Sequence, residues 1–381
     1  MKFKINPKEW LQDLDTAIKV VPSNPTEAIL ACFLISLRQG KLFVRAANAE
    51  LCVEISRAAE SSEDGSAALD ARTLVNLVRT IDDNEITIEK ATDSPSATIR
   101  WSTGEATVPV FDETSFPEKI KVSIEKNEKL GLVRVKAEEL LETLSTISPF
   151  IPAAANSPVI ESVCFDLEAD RATAVATDTR VLVTKSFAVE ASGQATRCIM
   201  PAAAVKMARQ ILAKIKDNVT IGFDDKAGML YTQEVTLSFR LVPGRYPDYR
   251  RVFPTEFTDH LTVSREEMIA GIRRAKVCGN ENALVLITLT GDSMLAPLEV
   301  SAANLEYSTK AVQQVTGSYQ GGGLEIGFNG DRLTDLLRAF PEGELLIRFN
   351  GDKRAALVTP AGEDTPKING IIMPMSYFKK S

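Results

Sequence analysis

Histidine is almost absent from this chain of 381 residues, where His260 is the only one. A histidine-based triad, an HExxH zinc site or a multi-histidine cage would have to use that residue or could not form. Cysteine is scarce as well, with 5 scattered positions and no Cys-x-x-Cys pair, which excludes a zinc ribbon and a thioredoxin motif. We expect buried free thiols in a reducing compartment.

Long apolar runs are also lacking. No run approaches the roughly 18 apolar residues of a membrane span, and the N-terminus lacks the apolar core of a signal peptide. We therefore expect a cytoplasmic protein. Acidic residues outnumber basic ones by 51 to 44, so the net charge is -7 and the pI is about 5.2. Taken alone, this balance argues against a strongly basic nucleic-acid binder.

What the chain does contain is a threefold internal repeat. Three segments begin alike, at Ile5, Val135 and Val263, with a short strand, a cap-like turn and an amphipathic helix. An Asx turn follows a strand in the middle of each repeat, at Asn48, Asp178 and Asn304.

A second helix begins near Leu69, Met200 and Phe328, and each of these helices precedes another strand. The remaining segments alternate apolar and polar residues between turns, which indicates antiparallel strands. The repeat predicts an α+β fold of three domains, each with two helices packed on antiparallel sheets. The predicted domains are residues 1–124, 125–254 and 255–381.

Several motifs occur in the order and spacing of one family. They are Leu241-Val242-Pro243-Gly244-Arg245-Tyr246-Pro247-Asp248-Tyr249-Arg250-Arg251-Val252-Phe253-Pro254, Ala176-Thr177-Asp178, Leu324-Glu325-Ile326-Gly327-Phe328-Asn329 and Ile371-Ile372-Met373-Pro374-Met375. Over its whole length the chain resembles the bacterial DNA polymerase III beta subunit family, the DNA sliding clamps. The resemblance implies a head-to-tail dimeric ring whose helices line a hole for duplex DNA. It further implies a non-catalytic processivity factor without a cofactor. Its expected partners are the polymerase catalytic subunit, other polymerases, the clamp loader and repair proteins, which would bind a groove through short peptides.

The charge is divided in a way that suits such a ring. The predicted helices, residues 7–20, 71–81, 137–148, 201–216, 264–276 and 329–340, carry a net charge of +4, which leaves -11 for the rest. Basic helices would attract phosphates without reading bases, although ordinary solvated helix faces are the competing interpretation. The candidate DNA-binding residues are Lys19, Arg72, Arg79, Lys206, Arg209, Lys214, Arg273, Arg274 and Arg338.

The resemblance also implies a peptide groove between the second and third domains. Methionine and branched aliphatic side chains suit varied peptides, prolines stiffen the walls, and Arg251 could hold a carbonyl or an acidic group. The alternatives are a linker ion-pair cluster and a plain edge strand. Arg180 stands one place earlier than in the family, and residues 376–381 pass the usual end and could cover the groove. The candidate peptide-binding residues are Ile160, Thr177, Thr179, Leu182, Pro247, Arg251, Val252, Ile371, Ile372, Met373, Pro374 and Met375.

For the dimer contact, the resemblance points to an edge strand of the first domain and a helix end of the third. The candidates are Ala106 and Val108 on the strand, and Arg274, Val277 and Cys278 at the helix. Charged pairs are few among them, so we expect an apolar contact.

Two other classes of function compete with the clamp. An enzyme could use Asp178 or Glu306, but these lie at repeat-related turns, and catalytic residues rarely recur by symmetry. His260 has no nearby Ser or Cys motif. A β-rich repeat scaffold that binds proteins without DNA is the other alternative, and outward-facing helices or a monomer in solution would favour it.

Overall fold

The computed structural model describes residues 1–92, 94–122, 131–192, 196–291, 297–304 and 306–377. The chain divides into two compact units, and residues of the second repeat belong partly to each. The first unit comprises residues 1–141, 167–170 and 189–242, and the second comprises residues 142–166, 171–188 and 243–381. The predicted boundary at 124/125 lies outside the described residues, and both boundaries stay predictions.

Four of the six described helices begin at a capping side chain. Asn6, Asp70, Ser264 and Asn329 each accept a hydrogen bond from a backbone N–H of the first helical turn, which satisfies donors that the helix cannot. These caps confirm the predicted starts to within one residue. The described helices are α1 (Pro7–Ala17), α2 (Ala71–Thr80), α3 (Ala137–Ile147), α4 (Ala202–Leu212), α5 (Arg265–Lys276) and α6 (Gly330–Arg338).

The predicted helix ends were late by three residues at α1 and four at α4, and by one or two at α2, α3 and α6. After α1 and α4 the chain tightens into turns whose N–H groups reach back three residues, as from Val20 to Ala17 and from Lys214 to Ile211. Lys19, Lys214 and Lys216 therefore follow the helices. Within the observed bounds the six helices carry a net charge of only +1, so the predicted +4 on the helices was wrong.

The strands run antiparallel in all the described pairings. They are β1 (Lys2–Ile5), β2 (Cys32–Arg38), β3 (Lys41–Ala47), β4 (Leu51–Ala58), β5 (Glu60–Glu63), β6 (Gly65–Asp70), β7 (Ile86–Glu89), β8 (Ser96–Trp101), β9 (Gly104–Phe111), β10 (Gly131–Lys136), β11 (Ser162–Leu167), β12 (Arg171–Thr177), β13 (Val181–Ala188), β14 (Glu190–Ser192), β15 (Thr196–Pro201), β16 (Asn218–Phe223), β17 (Ala227–Tyr231), β18 (Val235–Arg240), β19 (Asp259–Ser264), β20 (Leu284–Leu289), β21 (Pro297–Asn304), β22 (Thr309–Gln320), β23 (Leu324–Asn329), β24 (Glu344–Phe349), β25 (Ala356–Pro360) and β26 (Ile368–Ile372).

In the first unit, one sheet runs in the order β14-β10-β16-β17-β18-β4-β3-β2-β6-β9-β8-β7-β1-β5. Helix α1 packs on β3 and β4 and against α2. It buries Trp10 and Leu14 completely, and the Trp10 ring meets Phe3 edge to face at 5.9 Å between centroids. Burial of these large side chains is the main stabilising contribution of the helix.

In the second unit, the strands run in the order β11-β12-β13-β26-β25-β24-β19-β22-β21-β20-β23. Helix α5 packs on β21 and β22, and α6 packs on β13, β23 and β26. The approach of α5 to the sheet needs a glycine, because a Cβ on Gly271 would lie 2.6 Å from Val315 Cγ2. The predicted α+β class is confirmed. Among the described residues, no helix is long and apolar enough to cross a membrane.

Candidate functional site

The turn between β12 and β13 is held by side-chain hydrogen bonds. Asp178 Oδ1 accepts from the backbone N–H groups of Arg180 at 2.9 Å and Val181 at 2.7 Å. The Thr177 hydroxyl donates to the Val181 carbonyl at 2.6 Å and accepts from the Thr179 N–H at 3.0 Å. Thr179 has a φ of 73°, which residues with a Cβ rarely adopt. These bonds offset that strain and hold the exposed turn in one conformation.

Asx chemistry recurs at the equivalent turns, as the sequence predicts. Asn48 Oδ1 accepts from the N–H groups two and three residues later, at 2.9 and 2.8 Å. Asn304 Oδ1 does the same at 3.0 and 3.4 Å. The carboxylate at Asp178 distinguishes the second repeat.

That carboxylate forms an ion pair with helix α6. Arg332 Nε donates to Asp178 Oδ2 at 2.6 Å, and the two side chains are 44% and 20% exposed. Asn329 caps α6 by accepting from the Arg332 N–H at 2.9 Å, which positions the arginine in the first helical turn. A pair this exposed contributes only about 0–1 kcal/mol. Its main effect is to fix the distance between the turn and the helix.

The chain after β26 runs from the turn to strand β23. Met373 N–H donates to the Arg180 carbonyl at 2.8 Å, and Met375 N–H donates to the Gly327 carbonyl at 2.8 Å. Residues 373–377 have no helix or strand assignment. We call residues 373–376 the wall segment.

Two cavities lie on either side of Arg332, and both include it in their lining. The turn-side cavity, of about 720 Å³, is lined by the 149–160 loop, Asp178 and Thr179. The wall-side cavity, of about 570 Å³, is lined by Arg180, residues 281–282 and the wall segment. Together they form an open groove with Arg332 at its centre, lined by apolar side chains interspersed with charged and amide groups, a form that suits an extended peptide.

The structure divides the twelve predicted peptide-binding residues into three groups. Ile160 and Thr179 line the turn-side cavity, while Ile372, Met373, Pro374 and Met375 line the wall-side cavity. Thr177, Leu182 and Ile371 are at most 8% exposed and support the groove from behind. Pro247, Arg251 and Val252 are exposed on residues 243–254 and line neither cavity.

Residues 243–254 form an ion-pair cluster of the kind weighed as an alternative. Arg251 Nε lies 3.0 Å from Asp248 Oδ2, and Arg250 Nη2 lies 3.0 Å from Asp166 Oδ2. The Tyr249 hydroxyl also donates to Asp166, at 3.0 Å, and burial, with Asp166 beside it, raises the pKa of Tyr249 to about 12. Arg251 keeps 86% of its side chain exposed, so it remains accessible to a partner.

Sequence reasoning missed Arg332 and most of the 149–160 loop. Arg332 counted only as one of two balanced charge pairs on a predicted helix, and its partner is 154 positions away. Asp178, considered as a catalytic acid, uses both carboxylate oxygens for the turn and Arg332. Within the described ranges, no three His, Cys, Asp or Glu side chains come together as a metal site.

The candidate DNA-binding residues of the first unit are all on or just after helices. Lys19 and Lys206 are exposed and have no partner among the described contacts. Three others are engaged, because Arg72 donates to the Ser23 carbonyl, Arg79 pairs with Asp15, and Lys214 donates to the Thr16 hydroxyl at 2.7 Å. Arg209, in the last turn of α4, also has a partner.

In the second unit, Arg273 and Arg274 lie in the last turn of α5, and Arg338 ends α6. Arg273 is exposed and has no partner among the described contacts. Arg274 donates to Gln313 at 3.4 Å, and Arg338 lies 3.5 Å from Asp335.

The candidate dimer residues occupy a strand and a helix end. Ala106 is partly exposed, but Val108 is only 6% exposed, so it packs within the first unit. Val277 follows α5 and is 85% exposed, with the partly exposed Cys278 next to it. Two further exposed apolar residues were not singled out by the sequence: Tyr307 (76% exposed) lies in the turn before β22, and Val312 (47% exposed) lies in the first half of β22.

Comparison with known proteins accounts for nearly the whole chain. Its residues 1–121, 134–248 and 250–376 match the N-terminal, central and C-terminal domains of the DNA polymerase III beta subunit. The beta sliding clamps of Staphylococcus aureus (strain Mu50) and Staphylococcus epidermidis are each 22% identical over 99% of this chain and 100% of their own length. Among solved structures, the Bacillus subtilis sliding clamp (TM-score 0.91, 19% identity) and a griselimycin-bound Pseudomonas aeruginosa clamp (0.90, 21%) are similar over 99% of this chain and 100% of theirs. Because the three domain matches cover most of the sequence in order, the chain belongs to the DNA polymerase III beta subunit family.

Proposed function

We propose that this chain encircles duplex DNA as a head-to-tail dimer and tethers polymerases and repair proteins through its groove. Membership of the family makes it a DNA sliding clamp, a non-catalytic processivity subunit that works with DNA and a DNA polymerase. We keep residues 1–124, 125–254 and 255–381 as its three domains. Since bacterial DNA lies in the cytoplasm, we propose that location.

The proposed ring rests on a strand pairing between repeats that recurs with the same register. Ala47 and Thr177, which precede the first two Asx turns, pair across those turns with Cys52 and Leu182. Cys52 then pairs with Ser238 in the last strand of the second repeat, and Leu182 pairs with Ile371 in the last strand of the third repeat. Two successive repeats are thus joined edge to edge in the same way.

Among the described pairings, the equivalent strand pairing is absent for the turn of the third repeat and for the last strand of the first repeat. Lys310 is the third-repeat equivalent of Cys52, since it pairs across the turn with Ala303. The last strand of the first repeat, β9, pairs through residues 104–109 with β8 alone among the described pairings. The first half of β22 likewise pairs with β21 alone. A second copy would supply each missing partner, and two such contacts would close a ring.

The register of that contact follows from the repeat. Through the hairpin pairings, Thr107 is the equivalent of Ser238 and Ile371. Thr107 would therefore lie opposite Lys310 of the second copy, and Ala106 would lie opposite Ala311. Two observations support this contact. Apolar residues near the start of β22 are exposed, and the Thr309 hydroxyl donates to the Cys278 carbonyl, which holds the start of β22 beside the end of α5.

Binding of DNA would be electrostatic and independent of sequence. The exposed candidates without described partners, Lys19, Lys206 and Arg273, would contact phosphates directly. Arg72, Arg79, Arg209, Lys214, Arg274 and Arg338 would add to the field while keeping their protein contacts. Weak backbone attraction of this kind holds a duplex without fixing its position, as sliding requires.

Retention on circular and linear DNA tests the proposal. The protein is loaded by its clamp loader onto a nicked circular duplex, half of the sample is linearised, and bound protein is measured by gel filtration. We expect retention on the circle and loss from the linear form, with retention restored when both ends carry bulky blocks. Equal loss from both forms would reject the ring. A monomer in solution would favour the protein-binding scaffold.

A further inference from the structure

Tyr377 attaches the end of the described chain to strand β23. Its hydroxyl lies 2.9 Å from the Glu325 carbonyl oxygen and 3.0 Å from Glu325 Oε1. Burial and the neighbouring carboxylate raise the pKa of Tyr377 above its usual value, so the hydroxyl remains a donor throughout the neutral range.

Gly327 provides the space for this attachment. A Cβ at Gly327 would lie 2.9 Å from Tyr377 Cδ1 and 3.1 Å from the Met375 carbonyl oxygen. Only glycine lets the chain lie this close to the strand. One glycine thus accommodates the tyrosine ring and the backbone that precedes it.

The wall segment is therefore held at both ends. At one end Met373 bonds to the turn through Arg180, and at the other Met375 and Tyr377 bond to β23. Between these points Pro374 and Ser376 face the wall-side cavity with the two methionines. A wall segment without these bonds would have to be ordered at each binding event, at a cost in affinity.

We propose that Tyr377 is a positioning residue for the groove, which holds the wall segment in its peptide-binding form from the side opposite the cavity. The inference rests on the proposed peptide-binding function. The sequence suggested that residues 376–381 could cover the groove. Tyr377 instead bonds to β23, so we infer that it supports the groove and does not cover it. Residues 378–381 lie outside the described residues.

The test compares Tyr377→Phe, which keeps the ring and loses the hydroxyl, with Tyr231→Phe, an exposed tyrosine of the first unit. Amide hydrogen exchange needs no ligand. We expect the Met375 amide to exchange about threefold to tenfold faster in Tyr377→Phe, the range for one lost hydrogen bond, and Ile371 to be unchanged. Gly327→Ala should have at least as large an effect. An unchanged Met375 rate in both variants would overturn the proposal.

A second measurement connects the wall to function. Synthetic peptides that cover the catalytic subunit of the cognate polymerase are titrated, and the tightest binder is kept. We expect Tyr377→Phe to bind it about threefold to tenfold more weakly, with thermal stability and retention on circular DNA unchanged. Equal affinity would overturn the proposal. If no peptide binds the unmodified protein, the proposed groove function fails, while the exchange result still decides whether Tyr377 holds the wall.

Discussion

At the scale of single residues, Asp178 organises the groove because its two oxygens do different things. One closes the turn through two backbone N–H groups, and the other holds Arg332. The cationic centre of the groove is thereby partly neutralised, while Arg180 remains exposed at the edge. A peptide would therefore meet a defined apolar wall beside one available guanidinium group.

Alanine substitutions should show that the wall segment contributes more to peptide binding than residues 243–254. We expect Met373→Ala to weaken peptide binding by about 1–3 kcal/mol, because Met373 lines the wall-side cavity and is 38% exposed. Pro374→Ala should weaken it less, and Arg251→Ala least, since Arg251 lines neither cavity. Isothermal titration of the polymerase peptides measures these effects, and sedimentation should show unchanged dimerisation. Unaltered affinity in all three variants would refute the assigned groove.

How far the site can be predicted depends on the distance over which each contact acts. The Asx turn at Asp178 is local, and its side chain, spacing and geometry can be predicted from neighbouring residues. The Asp178–Arg332 pair depends on the packing of α6 against β13, which no local pattern encodes. The wall residues came from family resemblance, since a Met-Pro-Met run alone favours a plain edge strand over a binding site.

At the scale of elements, caps predict where helices begin, whereas nothing comparable marks where α1 and α4 end. Their final turns tighten to bonds over three residues, which depends on packing against the rest of the unit.

Four strands each contain a buried cysteine. Cys32, Cys52, Cys164 and Cys198 lie in β2, β4, β11 and β15 and are all buried, as the scattered cysteines predicted.

Strand burial should make these thiols unreactive. Burial raises the pKa of Cys32 to about 12 and also raises that of Cys52, so little reactive thiolate forms. With Ellman's reagent at pH 8 we expect no thiol of the native chain other than Cys278 to react quickly, and the buried four to react only after unfolding in guanidinium. Cys278→Ser should remove the fast phase.

The raised thiol pKa values make the stability of the fold depend on pH. Because the folded chain favours the protonated thiol, the stabilisation is fully present below the ordinary thiol pKa of about 8.5. It is lost as the pH rises toward the folded value. Cys32 should therefore stay unreactive at pH 9.5 while the chain remains folded. A second fast-reacting native thiol at that pH would contradict the assigned burial.

At the scale of the whole molecule, the repeat predicts more than any single motif. It indicates three similar domains, and its junction register carries over to the proposed contact between copies. Val108 stays among the predicted contact residues, although its side chain packs inward. The exposed apolar residues near the other edge are Tyr307, just before β22, and Val312, within β22, and no motif identified them.

A cross-linking experiment tests the register. Ala106→Cys and Ala311→Cys are prepared separately in a Cys278→Ser background and then mixed under mild oxidation. We expect a disulfide-linked band of twice the 41.5 kDa chain mass only in the mixture, because opposed residues of an antiparallel pair have Cβ atoms about 4.5–5.5 Å apart. Replacing Ala106→Cys by Tyr231→Cys in the mixture should give none. A strong band from either variant alone would indicate a different contact.

The three Asx turns also determine how many equivalents of an inhibitor the protein can take up. The Asn48 amide nitrogen donates to the Val20 carbonyl at 2.9 Å, so the chain after α1 occupies the side chain of the first-repeat turn. Asn304 presents a neutral amide, while Asp178 holds the arginine around which both cavities form. A compound selected against Arg332 and the wall segment would therefore saturate at one molecule per chain, although the fold repeats three times.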